Sequence, residues 1–178
     1  MQILLVTAEE SAPAVGGLAE VLLDCVDGGA SVGFLAPLSR ADAEQWWGRA
    51  LSSSGTRTWV AWDEGDSIVG CVQLSLASPA NGQHRAEVQK LLVYRRARGH
   101  GVGTSLMAHV EQDARRMGRT LLLLGTESGS AAEALYLSCG WVAYGTVASH
   151  ARLPDGRLAD TTFMVKNLDV TGPGIAPA

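Results

Sequence analysis

A basic, glycine-rich stretch in the middle of the chain is the part of the sequence best suited to chemistry. It follows an apolar run that ends at Val93, continues to Gly103 and precedes a segment with helical periodicity. Glycines let backbone N–H groups turn toward one point, and the first turn of a helix adds unpaired N–H groups and the positive end of its dipole. The stretch therefore predicts a cradle for an anion, with phosphate as the best match. Three arginines add positive charge at its rim: Arg95, Arg96 and Arg98.

Two widespread nucleotide-binding loops do not match this stretch. A P-loop needs the pattern GxxxxGK[ST], and no such lysine is present. The dinucleotide fingerprint needs GxGxxG, but Gly99 and Gly101 are followed by Thr104 where the third glycine belongs. A tight turn that carries a solvated arginine cluster stays open as an alternative. The pattern that residues 98–103 do match is R-x-x-G-x-G.

A second pattern follows further along the chain. Residues 132–141 read AEALYLSCGW and match A-x-x-L-Y-x-x-x-G-[FW]. In this order, the two patterns resemble the coenzyme-binding segments of the GNAT superfamily of N-acetyltransferases. The resemblance extends from about Val60 to Leu168. Gly129 stands where the family often carries an asparagine that contacts the pantetheine arm, so that contact is not expected here.

The resemblance implies an N-acetyltransferase that uses acetyl-CoA as cosubstrate and needs no metal. It also implies that the backbone of the third predicted strand pairs with pantetheine, and that the N–H of Leu92 or Val93 polarises the thioester carbonyl. The coenzyme-binding residues that it implies are Leu91, Leu92, Val93, Arg98, Gly99, His100, Gly101, Val102, Gly103, Thr104 and Tyr136.

A closer resemblance concerns the acceptor. The segments GGASVGF (28–34), NGQHRAEVQKLLV (81–93), TESGSAAEALY (126–136) and PDGRL (154–158) are similar to the tabtoxin resistance acetyltransferase group. Members of that group acetylate tabtoxinine-β-lactam, a small amino-acid-like toxin. The resemblance implies a small-molecule amine acceptor and a role in antibiotic resistance. Two alternatives remain: a protein N-terminal or lysine acetyltransferase, and a non-catalytic module that senses acetyl-CoA.

Acetyl transfer to an amine needs a neutral amine, donors for the charge on the carbonyl oxygen, and a proton for the leaving thiolate. Tyr136 matches the family tyrosine near the coenzyme sulfur and is the predicted general acid; its alternative is a core tyrosine. No cysteine within the coenzyme motifs is an obvious acyl carrier, so direct attack in a ternary complex is expected. Cys139, near the end of the last helix, leaves a ping-pong route open.

Glu87 is the predicted general base. It lies on the third strand, where alternation places Glu87, Gln89 and Leu91 on one face. Its alternative is an ion pair with Arg85 or Lys90.

The acceptor site has four candidate residues. Glu127 and Thr126 end a strand at the edge where open α/β sheets place ligands, and Glu127 is predicted to bind the substrate ammonium. Its alternative is a carboxylate that serves the N-terminus of the next helix. Ser31 and Phe34 are weaker pocket candidates. The pair Trp46-Trp47 is interpreted as packing of the second helix, with a pocket wall as the alternative.

Periodicity and turn residues predict the elements that must position these groups. Two helices come first, from Ser11 or Pro13 to Gly28 and from an N-cap at Ser39 onward. The rest follows the order βββαβαββ, which predicts an α/β chain with a mixed sheet and helices on its faces. The resemblance specifies the GNAT fold, a mostly antiparallel twisted sheet of about six to seven strands with about four helices. The predicted strands are 58–62, 67–76, 85–93, 121–124, 141–149 and 161–168.

Composition bounds the class of protein. The chain has 178 residues, 47% of them hydrophobic, which predicts a single domain over 1–168 and a disordered tail over 169–178. The net charge of −4 argues against a nucleic-acid partner. No apolar run approaches the roughly 20 residues of a membrane span. Three widely spaced cysteines suit reduced thiols, so we expect a cytoplasmic protein, with a homodimer as one assembly to consider.

Overall fold

One seven-stranded sheet carries the structure, which is a computed structural model described over residues 1–7 and 9–168. The strand order is β1-β2-β3-β4-β5-β7-β6. Every neighbouring pair is antiparallel except β4 and β5. The strands are β1 (Gln2–Leu5), β2 (Thr56–Trp62), β3 (Ile68–Leu76), β4 (Arg85–Val93), β5 (Leu121–Glu127), β6 (Val142–Arg152) and β7 (Leu158–Asn167). The predicted fold class is confirmed; the predicted tail lies outside the described residues.

Four helices flank the sheet: α1 (Ser11–Asp27), α2 (Arg40–Leu51), α3 (Val102–Arg116) and α4 (Ala131–Ser138). Ser39 caps α2 as predicted, because its hydroxyl accepts the Asp42 N–H at 3.1 Å. Ser130 caps α4, where it accepts the Glu133 N–H at 3.2 Å. Among the described residues, no helix has the length and apolar character to cross a bilayer.

Strand β1 is the element that the sequence did not predict. Its four residues pair antiparallel with β2, from Gln2 opposite Trp62 to Leu5 opposite Trp59. A run this short at a sheet edge shows no clear alternation. Its strand conformation depends on the free edge of β2 rather than on a local pattern.

The helices bury opposite faces of the sheet. Side chains of α3, among them Leu106 and Val110, pack with Leu122 and Met164 on one face. On the other face, Leu18 and Leu22 of α1 and Trp47 of α2 pack with Val60 and Cys71. Both faces of the central strands are therefore covered, which leaves the strand ends for ligands.

Strands β4 and β5 pair over three residues and then separate. The pairs are Arg85 with Leu121, Ala86 with Leu122 and Glu87 with Leu123. Beyond them β4 continues to Val93 and β5 to Glu127 without pairing to each other. The gap between them lies at the carboxyl ends of two parallel strands, where open sheets place their ligands.

A bulge in β4 corrects one predicted side-chain orientation. The register with β3 shifts between Cys71 and Gln73, and Lys90 has a φ of 48°. An extra residue in a strand reverses the alternation beyond it. Leu91 therefore packs on the α3 face, whereas Leu92 packs against α1 and α2. The prediction that Leu91 shares a face with Glu87 and Gln89 is wrong for this reason.

Gly70 of β3 lies where β4 and α3 come closest. A Cβ there would be 2.9 Å from the Leu92 carbonyl oxygen and 3.1 Å from Val102 Cγ1. We expect Gly70→Ala to lower the free energy of unfolding by about 1–3 kcal/mol, because the added methyl overpacks the junction. Gly48→Ala is the control: it meets nothing within 4 Å inside α2 and should raise stability by about 0.5–1 kcal/mol. Urea denaturation measures both, and equal changes would contradict this packing.

Candidate functional site

A cavity of 640 Å³ occupies the gap between β4 and β5. It is bounded by the far half of β4, the loop that leads into α3, the start of α4, the end of β5 and the loop after α1. Twelve residues singled out in the sequence line it: Ser31, Leu91, Leu92, Val93, Arg98, Gly99, Gly101, Val102, Gly103, Thr104, Thr126 and Glu127. The structure thus brings the predicted phosphate loop and most of the predicted acceptor residues to one place.

The glycine-rich loop has the geometry of an anion cradle. Gly99 and Gly101 have φ values of 78° and 77°, which residues with a side chain rarely adopt. The first hydrogen bond of α3 runs from Ser105 N–H to the Gly101 carbonyl at 2.9 Å. In the part of the chain that the structure describes, the N–H groups of Val102 and Thr104 and that of the residue between them have no backbone acceptor. These donors belong to residues that line the cavity.

Two of the three loop arginines are engaged elsewhere, which corrects the expectation that all three charge the rim. Arg95 donates from Nε to Asp24 Oδ1 at 2.9 Å, and its backbone N–H donates to Asp24 Oδ2 at 2.7 Å. Arg96 pairs with Asp63 at 3.3 Å and lies over the Tyr94 ring at 5.0 Å. These bonds tie the loop to α1 and to the β2–β3 turn.

Arg98 alone of the three lines the cavity. Its Nε donates to the Val93 carbonyl at 3.1 Å, which holds the guanidinium group beside the end of β4. One cation is therefore placed at the cradle.

Tyr136 lies in α4 with 7% of its surface exposed, and its ring centroid is 6.1 Å from that of Trp141. Burial raises the pKa of its hydroxyl far above the usual value, so the phenol keeps its proton. Tyr136 itself does not line the cavity, but the neighbouring Leu135 and Ala132 do. It therefore lies directly behind the wall formed by α4.

Three further predicted residues also lie outside the lining. Glu87 is exposed, at the last position of β4 that pairs with β5. His100 is exposed, with ring Nδ1 2.9 Å from the Arg98 carbonyl oxygen. Phe34 packs edge-on against Trp46, with ring centroids 5.4 Å apart. Trp47 is fully buried, in agreement with its interpretation as a packing residue.

Glu127 ends β5 and is half-buried in the cavity wall. Within the described residues its carboxylate has neither a hydrogen-bond nor an ion-pair partner. The N-terminus of α4 does not use it, because Ser130 caps that helix and the carboxylate of Glu133 accepts the Gly129 N–H. A free carboxylate in a cavity wall suits a cationic ligand.

Apart from the pocket candidates Ser31 and Phe34, of which Ser31 lines the cavity, the sequence did not identify the loop after α1 as a cavity wall. Cys25, Gly28, Gly29, Ala30 and Val32 all line the cavity. The pair Gly28-Gly29 predicted the end of α1, but it did not indicate that the following residues would line a cavity. Burial raises the pKa of the Cys25 thiol, which keeps it protonated. Within the described part of the chain, no cluster of three or more His, Cys, Asp or Glu side chains could hold a metal ion.

The open sheet and its glycine-rich loop define a GNAT fold. Residues 7–141 match the sequence model of the acetyltransferase (GNAT) family, which is more than half of the chain. The chain belongs to this family.

Two curated relatives match about half of the chain. Probable N-acetyltransferase 14 of Xenopus tropicalis is 34% identical over 86 residues, or 48% of this chain and 40% of that protein. N-acetyltransferase 8B of Rattus norvegicus is 34% identical over 93 residues, or 51% of this chain and 41% of that protein. The match thus spans about two fifths of the length of each relative.

Solved structures match over nearly the whole chain. The ribosomal-protein-alanine N-acetyltransferase from Brucella melitensis is 27% identical, with a TM-score of 0.77 and coverage of 94% of this chain and 100% of that one. A phosphinothricin acetyltransferase from Sinorhizobium meliloti, solved in complex with AcCoA, is 21% identical with a TM-score of 0.78 and covers 100% and 94%. The second likeness relates the two proteins in fold alone.

The ion pairs of the loop predict which arginine contributes to the binding of an anionic ligand. Arg98→Gln should weaken coenzyme A binding about tenfold, because a charge-assisted contact contributes about 1.5–3 kcal/mol before solvent screening. Arg96→Gln, the matched control, should leave the Kd within about twofold because Arg96 is paired with Asp63. Isothermal titration measures both Kd values. Equal losses would contradict the assignment.

Proposed function

We propose that this protein transfers the acetyl group of acetyl-CoA to the amine of a small molecule. The observation that carries the proposal is the cradle of unpaired N–H groups at residues 102–104, which opens into the gap between β4 and β5. A diphosphate suits such a cradle, and an extended arm suits the unpaired edge of β4.

The residues present fit the coenzyme. Side chains at Gly99 and Gly101 would enter open space in the cradle, since a Cβ there meets nothing within 4 Å. We assign the pyrophosphate to the N–H groups of residues 99–104 with Arg98, and the pantetheine arm to the backbone of residues 91–93. Acetyl-CoA, when bound, supplies the acetyl group as a thioester.

We assign the chemistry to residues around this arm. The backbone N–H of Leu92 or Val93 polarises the carbonyl oxygen. Tyr136 is the general acid, and its retained proton suits that role. Glu127 binds the amine, and Glu87 accepts its proton through water because its exposed carboxylate lies outside the lining. Direct attack is supported by the protonated state of Cys25, which makes this lining thiol a poor nucleophile.

For the acceptor we propose an amino-acid-like toxin or antibiotic, as for the tabtoxin resistance group. Two of the segments that resemble this group lie outside the coenzyme motifs. The first, residues 28–34, contributes five residues to the cavity lining. The second forms the turn between β6 and β7, and its Pro154 carbonyl accepts the Ala36 N–H at 2.9 Å. The two segments therefore lie near each other on the acceptor side.

A protein N-terminal acetyltransferase is the second candidate. The observation that favours it is the likeness to the ribosomal-protein-alanine N-acetyltransferase, at 27% identity over the whole of that chain. A non-catalytic acetyl-CoA sensor is the third reading of the same cavity.

Measuring the free thiol released from acetyl-CoA distinguishes the small-molecule acetyltransferase, the protein N-terminal acetyltransferase and the sensor. The test uses amino acids, amino-acid-like β-lactam toxins and peptides that begin with alanine. The proposal predicts release with small amines and little with peptides. Preference for peptides would favour the second candidate, and acetyl-CoA binding without release from any amine would favour the sensor.

We further propose a single domain over 1–168 that works in the cytoplasm as a homodimer. The two cores share one sheet, which supports the single domain. The three free cysteines suit a reducing compartment. The edge strand β6 is exposed along nearly all of its length, with Val142 and Tyr144 among its exposed apolar residues, and such an edge suits pairing with a second copy.

Gly101→Glu tests the cradle. We expect it to abolish coenzyme binding, because it places a carboxylate where the phosphates are proposed to lie. Gly118→Glu is matched to it: Gly118 has a φ of 71°, an added Cβ meets nothing within 4 Å, and it follows the opposite end of α3. That variant should carry the same backbone strain and bind the coenzyme normally. Micromolar affinity in Gly101→Glu would rule out the phosphate assignment.

Tyr136→Phe tests the proposed acid. We expect kcat to fall about 10–100-fold, as for loss of a positioned acid, with the Kd for acetyl-CoA unchanged. Because the pKa of Tyr136 is raised, its proton is retained as the pH rises, so wild-type kcat should show no loss from this group up to about pH 10. Tyr144→Phe, on the exposed strand β6, is the control and should leave kcat and the Kd for acetyl-CoA unchanged. Unchanged kcat in Tyr136→Phe would remove the residue from this role.

A further inference from the structure

Lys90 places a half-buried ammonium group beside the cavity without an anionic partner. It lies at the bulge of β4, with Nζ 5.2 Å from the ring centroid of Trp46 and 5.8 Å from that of Phe34. Among the described residues, no ion pair or hydrogen bond involves this ammonium group. Lys166 differs, because its Nζ is 2.7 Å from Glu111 Oε2.

A half-buried cation loses part of its hydration, which is costly when no protein acceptor replaces the lost water. The two aromatic rings compensate in part, because their faces attract the cation. They accept no conventional hydrogen bond, so the three N–H donors have no acceptor among the residues that the structure describes. Burial lowers the pKa of Lys90, while the neighbouring Cys71 and Glu87 oppose that shift. An incoming oxyanion would satisfy both the charge and the donors.

Lys90 and Glu127 lie on the same side of the sheet, on the two strands that separate. Leu122 and Leu124 of β5 pack under α3, so alternation turns Glu127 to the opposite face. Lys90 also lies on that opposite face, because its ammonium contacts Trp46 of α2 and Phe34 of the loop after α1. Two unpaired charges of opposite sign therefore flank the acceptor side of the gap.

We propose that Lys90 binds an oxyanion of the acceptor, such as a carboxylate, while Glu127 receives its amine. The acceptor is thus a zwitterion of amino-acid type rather than a simple amine. Glu127 lines the cavity, as do Ser31 and Val32 of the loop after α1. Lys90 lies just outside this lining, with its Nζ 3.6 Å from the position of an added Cβ at Gly33 of the same loop. This inference rests on the proposed acetyltransferase function and specifies its substrate class.

The scarcity of lysine makes a direct test possible. The chain contains two lysines, Lys90 and Lys166, and its other cationic side chains are arginines. Lysine labelled with ¹³C at Cε therefore gives two NMR signals in the full chain, and the Lys166 signal serves as an internal reference. The probes are the common L-amino acids and the matching L-amino acid amides, which differ only in the carboxylate.

The proposal predicts that at least one acid, but not its amide, shifts the Lys90 signal and leaves the Lys166 signal in place. If no acid shifts the Lys90 signal, or if acid and amide shift it equally, the proposal is overturned. This readout does not depend on turnover. An absence of thiol release would count against the acetyltransferase function, while the NMR shift would still decide the role of Lys90.

Steady-state kinetics decide whether Lys90 binds the acceptor carboxylate or has only a structural role. They compare the best amino acid acceptor with its amide. Wild-type kcat/KM should favour the acid at least tenfold. Lys90→Met keeps the aliphatic stem and should remove that preference by raising KM for the acid, with the Kd for acetyl-CoA unchanged. Lys90→Arg should retain most of it. An equal fall for acid and amide in Lys90→Met would overturn recognition and make Lys90 a clamp for the loop that carries Phe34.

Discussion

The separation of two parallel strands after three residue pairs is the constraint on which the site depends. Backbone N–H and C=O groups that leave a sheet must find other partners when water is excluded. Beyond Glu87, the edge of β4 that faces β5 has lost its neighbouring strand. An elongated ligand that lies where a strand would lie can form hydrogen bonds with the free N–H and C=O groups of this edge. The 640 Å³ cavity at the gap is therefore a consequence of the pairing pattern.

Several packed contacts fix the positions of the elements that border the gap. Gly70 lets β4 and α3 approach β3 closely, and Gly103 does the same for α3 and Leu135 of α4. Glu111 is 5% exposed and accepts from Trp141 Nε1 at 3.0 Å and from Lys166 at 2.7 Å. This buried network joins α3 to β7 and to the end of α4. Loss of one member would leave a buried charge without its partner, which is far costlier than loss of an exposed ion pair.

Local patterns predicted the parts of the fold whose causes are local. The Ser39 cap, the limits of β4 and the glycine-rich loop depend on residues within a few positions of each other. The missed features have causes that are distant in the sequence. Asp24 pairs with Arg95 across 71 residues, and the edge of β2 makes a strand of the first residues. The bulge at Lys90 reverses the orientation of Leu91, and alternation cannot reveal one extra residue.

The central proposal is a coenzyme A site in the gap between β4 and β5, with the phosphates at the N–H groups that begin α3. A crystal structure with coenzyme A tests it most directly. We predict pyrophosphate oxygens at about 2.7–3.2 Å from the nitrogens of the N–H groups of residues 102–104, and the pantetheine arm along residues 91–93 of β4. A coenzyme bound outside the gap, or one whose phosphates leave those N–H groups without a partner, would contradict it.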